Sequence, residues 1–412
     1  MALEYAKQPW QTLYVAYELF AMVILLPVWS VMYMFTRPRP TWSWTHAMIV
    51  AYIRRSTLFA YKVTSDMRMF MGSPDYRAIP STTKYNVEAA WIDGVQPHLI
   101  TAEFTILASV ACTTPIRIPG YWYARDGTAP KPNKPVARTN QKKVLLYFHG
   151  GAFTFLSAHP KDPYAIPLFR VEYRLSSTHP LPEQHPFPAA ILDALAGYIH
   201  LVEVVGYDPS NIIVAGDSAG GNLALALVRY LVENQRGSAS TNIIPGLPVP
   251  PGHLLLLYPW PDLSNSHAET HMALTQPGVK HGLARSAYAN DMDVVSDFFV
   301  GRGYPSYSVL AYVGPFGLGM ASSNRYISPA SLSPLVQARF SRFPRTLIVA
   351  GGVDRFLDQA HTLRDKMMRD MPREGQVTYY EETDGVHGFL TMPTSPGYRA
   401  AYDAIRDWLT SD

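Results

Sequence analysis

The sequence predicts an α/β protein with a mostly parallel central sheet flanked by helices. Downstream of about Tyr85, short apolar runs of strand length alternate with longer stretches of helical periodicity, the pattern of strand-helix-strand crossovers. In mid-chain one apolar run passes through a glycine-rich turn directly into a helical pattern. With 48% hydrophobic and 16% charged residues in 412, the chain has the material for a large core, which excludes a disordered polymer. At roughly 150 residues per domain that length allows two or three units, or one catalytic domain with additions.

The first element is apolar. From Leu13 to Phe35 the only charge is Glu18, and at about 1.5 Å per residue the run is long enough to cross roughly 30 Å of hydrocarbon. Trp10 lies at one end and Trp29, Tyr33, Trp42 and Trp44 towards the other, where amphipathic rings favour the headgroup region; Arg37 and Arg39 follow. The end of the run has no small-residue cleavage site, so it reads as a retained anchor rather than a signal peptide. A buried or interfacial helix is the alternative, helped by Glu18 and Pro27. Arg37, Arg39, Arg54 and Arg55 outnumber Lys7, which puts the main body on the cytosolic side of its membrane, the endoplasmic reticulum included. The absence of an Asn-x-Ser/Thr sequon and the single cysteine, Cys112, lean the same way. Residues 1–40 are thus expected to form the anchor, 41–94 an amphipathic or cap segment, and 95–412 the catalytic domain.

Within that domain the expected strands are Val144 to Phe148, Phe169 to Tyr173, Ile212 to Ala215, Leu254 to Tyr258, Thr346 to Ala350 and Val377 to Glu381. The expected helices are Phe187 to Val205, Asn222 to Glu233, Gln359 to Met371 and Ala400 to Leu409. Asp126 to Gln141, rich in Pro, Lys and Gly, reads as an exposed loop. The stretch from about 262 to 330 is too long for an ordinary connection and is where a cap is expected. Between Ala152 and Leu168, Pro160, Pro163 and Pro167 leave no room for a regular helix of about ten residues. The strand at Phe169 is still expected to lie parallel to the one at Val144, with one sheet face short of cover.

Two motifs carry chemistry. Gly216-Asp217-Ser218-Ala219-Gly220 sits between a strand and a helix, the setting of a nucleophile elbow; small residues flank Ser218 because the turn is crowded, and the helix that follows aims its first N–H groups at developing negative charge. The plain alternative is a glycine-rich helix cap. His149-Gly150-Gly151-Ala152-Phe153 follows the strand at Val144 and suits an oxyanion hole, in which fixed backbone donors stabilise charge by about 3 to 4 kcal/mol each. The donors expected are the N–H groups of this loop, Gly150, Gly151 and Ala152, together with Ala219; His149 anchors the loop and Asp217 supports the elbow.

Together these motifs, with Val171-Glu172-Tyr173-Arg174-Leu175 and His185-Pro186-Phe187-Pro188-Ala189-Ala190, resemble the hormone-sensitive-lipase group of α/β hydrolases, which includes arylacetamide deacetylases and microbial esterases. The resemblance covers roughly residues 95 to 410. It implies an α/β-hydrolase fold and a triad in the order serine, acid, histidine. Asp354 matches the acid, with Asp358 and Asp384 as rivals, and His387, after the last expected strand, matches the base. Members of the group usually place a full helix where this chain has the proline-broken stretch 152–168.

The implied reaction is hydrolysis of a carboxylic ester of a small apolar substrate through an acyl-enzyme on Ser218, without metal or organic cofactor. Amide deacetylation by the same residues and a non-catalytic small-molecule receptor are the alternatives. Phe153, Phe155, Trp260, Phe298, Phe299 and Phe316 are candidates for an apolar pocket or for simple core. Nucleic acid is excluded as a partner, because 35 Lys and Arg are offset by 32 Asp and Glu. One cysteine excludes an intramolecular disulfide and a cysteine-based metal cluster.

Overall fold

The computed structural model describes residues 5, 7–63, 86–124, 143–160, 169–179, 181–235, 243–264, 266–267, 293–294 and 306–411. They form an eight-stranded sheet in the order β1-β2-β4-β3-β5-β6-β7-β8, with β1 Asn86–Ile92, β2 Ile118–Ala124, β3 Val144–Phe148, β4 Phe169–Val171, β5 Ile212–Asp217, β6 His253–Leu257, β7 Arg345–Gly351 and β8 Val377–Glu382. β1 and β2 pair antiparallel with each other, and β2 pairs antiparallel with β4; every later pairing is parallel. β3, β5 and β6 are apolar runs because helices cover both faces.

Alternate residues divide between two cores. Leu146, Val214 and Leu256 point into the larger one, built with helices Ala102–Val110 (α3), Ala189–Ile199 (α4), Ala219–Glu233 (α5) and Leu357–Asp370 (α8). Tyr147, Ala215 and Leu255 point into the second, built with helices Trp44–Val63 (α2) and Tyr398–Thr410 (α9). Two short helices, Tyr307–Val313 (α6) and Leu318–Ser323 (α7), come from the expected cap stretch, most of whose residues lie outside those described. The expected loop 126–141 and Phe298 and Phe299 lie outside them too.

Every strand expected from the sequence is present within one or two residues. The sheet starts earlier than the expected boundary at 95, because β1 belongs to it; β1 was not expected, and β2 only as an unplaced early strand ahead of the loop at 126. The helix expected from Phe187 ends as an α-helix at Ile199 and continues as a π-helical turn, His200–Val205, closed by Gly206 at φ 87°. Residues 152–160 contain turns and no helix, and 161–168 lie outside the described residues. As expected, β4 runs parallel to β3, through Leu146 opposite Phe169 and Tyr147 opposite Arg170.

The apolar N-terminal run is a single helix, Trp10–Phe35 (α1), with Leu19, Phe20, Val23 and Phe35 strongly exposed. Its one charge is neutralised from α2: Arg55 Nε and Nη2 donate to Glu18 at 2.8 and 2.9 Å. Trp42, expected in a headgroup belt, is instead core at 1% exposure; its indole N–H donates to the backbone oxygen of Asp384 at 3.0 Å.

Candidate active site

β5 ends on the turn that carries Ser218. Its backbone stands at φ 54°, ψ −119°, a conformation costly for a side chain other than glycine. The turn is possible because residues around it lack side chains: a Cβ on Gly216 would lie 2.2 Å from the Gly220 oxygen, and one on Gly220 would lie 2.1 Å from the Phe148 oxygen. The hydroxyl is therefore presented at the N-terminus of α5.

His387 stands between that hydroxyl and a carboxylate. Its Nδ1 is 2.9 Å from Asp354 Oδ2 and its Nε2 is 3.0 Å from Ser218 Oγ. A carboxylate only accepts, so Nδ1 carries the proton and Nε2 is left to accept from the serine. Asp354 lies in the turn after β7 and is 2% exposed, and its Oδ1 accepts from the Phe356 N–H at 2.8 Å. Of the rival acids, Asp358 lies in the first turn of α8, where its backbone oxygen accepts from Thr362. Asp384 accepts from Thr41 Oγ1 and pairs with Arg39 at 3.5 Å, so it ties down the segment after α1. Burial opposes charge on His387, but the carboxylates of Asp354, Asp293 and Asp217 outweigh it and raise its pKa above the ordinary value.

The glycine loop after β3 is held in several places. Tyr173 OH donates to the His149 oxygen at 2.7 Å and its ring stacks on His149 at 4.3 Å. Burial and the nearby Arg170 lower the His149 pKa to about 3, so this ring is neutral. Its Nδ1 donates to the Gly150 oxygen at 2.8 Å. The N–H of Gly150 donates to Asp217 Oδ1 at 2.8 Å, an oxygen that also accepts from Tyr147 OH. Gly150 is thus removed from the set of expected oxyanion donors; its N–H is already bound. Gly151 and Ala152 follow at φ 93° and 51° and line the cavity.

That cavity, about 420 Å³, runs from Ser218 and His387 along the sheet face of Tyr147 and Arg170 to a wall made by Ile49, Ile53 and Thr57 of α2. It lies over β3 and β4; the expected shortfall of cover on the sheet there falls outside the described residues, since 161–168 are not among them. Of the expected pocket aromatics, Phe155 and Trp260 line it. Phe153 stacks on Tyr312 in the core, 3.9 Å between ring centres, and Phe316 packs against that core. Sequence reasoning missed Tyr147, Arg170, Asp293 and the α2 wall. Only the wall left a signal: Ile49, Ile53 and Thr57 recur every four residues, as one helix face does.

A family profile described as the alpha/beta hydrolase fold matches residues 145–391. Arylacetamide deacetylase-like 2 of Homo sapiens is 25% identical over 317 residues, 66% of this chain and 73% of that protein. Carboxylesterase NlhH of Mycobacterium tuberculosis is 33% identical over 144 residues, 32% of this chain and 39% of its own length. Esterase LipU of the same organism is 32% identical over 173 residues, covering 51% of its length. The chain thus matches less than two thirds of either bacterial relative. Among solved structures, a hormone-sensitive lipase from a metagenome library superposes with a TM-score of 0.54 and 23% identity, over 88% of this chain and 97% of that one, a likeness of fold.

Proposed function

The chain belongs to the alpha/beta hydrolase fold family, and on that footing we propose that it is a serine hydrolase of carboxylic esters. One observation carries the reading: a continuous Asp354–His387–Ser218 hydrogen-bond chain, 2.9 and 3.0 Å, ends on a serine held at a strained turn. The names of the matched relatives, carboxylesterase and esterase, support it.

In this mechanism Ser218 Oγ attacks the acyl carbon as its proton passes to His387 Nε2. Asp354 holds the imidazole tautomer and stabilises the imidazolium. Charge developing on the carbonyl oxygen is met by the N–H groups of Gly151, Ala152 and Ala219. The imidazolium returns the proton to the departing alkoxide, and water, activated by His387, releases the acid. His149 and Asp217 keep the glycine loop in place without touching the reacting atoms. The apolar residues Ile49, Ile53, Met392 and Trp260 favour an apolar acyl or alcohol group.

The exposed apolar surface of α1 supports an anchored protein, with 1–40 as the anchor and the body on the side of the arginines. A relative named arylacetamide deacetylase-like 2 supports amides as a second substrate class, since His387 can protonate a leaving amine. A fluorophosphonate probe and a p-nitrophenyl ester test the reading together. Labelling on Ser218 and turnover, both lost in Ser218→Ala, are expected; turnover unchanged in that variant would refute it. p-Nitroacetanilide set against p-nitrophenyl acetate separates amide from ester preference.

A further inference from the structure

A fourth side chain joins the turns that carry the acid and the base. Asp293 lies between β6 and β7 and is 2% exposed. Its Oδ1 accepts the backbone N–H of His387 at 2.8 Å and that of its own neighbour Val294 at 2.8 Å. Its Oδ2 accepts the backbone N–H of Arg355 at 3.0 Å. Arg355 follows Asp354 directly, so one carboxylate spans the turn after β7 and the turn after β8.

We propose that Asp293 is a positioning residue of the triad: it fixes the spacing of the Asp354 and His387 turns, and its charge adds to that of Asp354 in favouring the imidazolium. The proposal rests on reading Ser218, His387 and Asp354 as a triad.

The chemistry of the group is what separates this from simple loop closure. Two N–H donors on different turns need an acceptor at both ends of the side chain, which a carboxylate supplies; an asparagine of the same shape offers one acceptor and turns an NH₂ group against the other donor. The carboxylate is kept in an unfavourable place. Burial and the negative charge of Asp354 push the pKa of Asp293 up to about 6, against the pull of His387 and of the two backbone donors. His387 itself is faced by Asp354 and Asp293, by Asp217 from the end of β5, and by the ring of Tyr258, 5.2 Å away. When the proton of Ser218 reaches Nε2, the new positive charge sits among these carboxylates. Asp293 touches no reacting atom and acts through His387.

The test uses the full chain carrying Asp293→Asn, with p-nitrophenyl butyrate as substrate. We expect kcat to fall by about 10- to 100-fold, the scale of a small misplacement of catalytic groups, with KM changed less than about threefold. The acid limb of kcat/KM should move to lower pH, because a negative charge that favours protonated His387 has gone. In protein labelled with ¹³C-histidine, the titration midpoint of His387 should move down with it, a readout that does not depend on turnover. Asp293→Glu keeps the charge and lengthens the reach. It should lower kcat while leaving the acid limb in place, and it carries the test alone if the Asn variant does not fold. An Asn variant with kcat, acid limb and His387 midpoint all unchanged overturns the proposal. So does a Glu variant whose acid limb moves as far as that of the Asn variant. If wild-type protein takes up no fluorophosphonate on Ser218 and cleaves no ester, the triad reading fails instead; the His387 midpoint still reports on Asp293.

Discussion

Ser218, the proposed nucleophile, combines backbone strain and a helix terminus in one residue. Ser218→Ala removes the oxygen and leaves the turn, so we expect a folded protein with hydrolysis reduced by about 10⁶-fold, as at another serine triad; circular dichroism and turnover measure the two effects separately. Asp354→Asn should cost about 10⁴-fold in kcat by reversing the tautomer that His387 needs, whereas Asp358→Asn should cost little. Equal losses in both variants would reassign the acid. Gly150→Ala probes the loop from the other side: its Cβ would lie 2.4 Å from Asp217 Oδ2, so the carboxylate held by the Gly150 N–H and Tyr147 must move. A fall in kcat exceeding any change in KM is the expected signature. The same logic sets the pH response. His387 must be neutral to accept the proton and its pKa is raised, so kcat/KM should fall with decreasing pH through a midpoint above the 6.5 of free imidazole. At this scale the sequence was most legible where chemistry is local: the five residues around Ser218 and the glycine loop announce themselves. Gly150 was misread because its N–H is bound by a side chain 67 positions away, and Asp293 lay in a stretch with no period to mark it.

Of the strands legible in the sequence, β3 to β7 are almost wholly buried, where an apolar run is unavoidable, while β8 is a half-buried edge strand; β1 and β2 stand at the other end of the sheet. β2 contains Pro119 and Gly120, which read as a turn, and only pairing with β1 and β4 makes it a strand. Helix α2 shows the opposite case, a pattern visible in sequence whose partner was not. Its Ile49 and Ile53 face the cavity over Tyr147 and Arg170, so the helix sets how much room lies beyond Ser218. Ile53→Trp should shorten that room: turnover of p-nitrophenyl acetate is expected to persist while the decanoate falls by at least about tenfold. Parallel loss on both esters would place the wall elsewhere. The cavity runs along the face of β3 and β4, beside a crossover whose residues 161–168 lie outside those described.

For the molecule as a whole, the cut between the proposed anchor and the rest of the chain is placed close to residue 40. Removing 1–40 takes away α1 and the Arg39–Asp384 pair but leaves Thr41 and Trp42 on Asp384 and the α2 wall intact. We expect the shortened protein to leave the membrane pellet and to keep its kcat on a soluble ester. Removing 1–63 should abolish that activity, since the wall goes too. Trp42→Ala, which empties a fully buried site, should cost about 3 to 5 kcal/mol in a denaturant melt. The bond from Trp42 to Asp384 spans 342 positions, which gives the enclosure a history as well as a shape. At the roughly 5 to 20 residues per second of protein synthesis, α2 leaves the ribosome about 17 to 70 s before the residues that seat it. For that interval the core that α2 packs into lacks its last members, among them Val386, Phe389, Ala401 and Trp408. A ribosome stalled before residue 384 should therefore hold α2 in a form that a protease cuts and a chaperone binds, and completing the chain should end both.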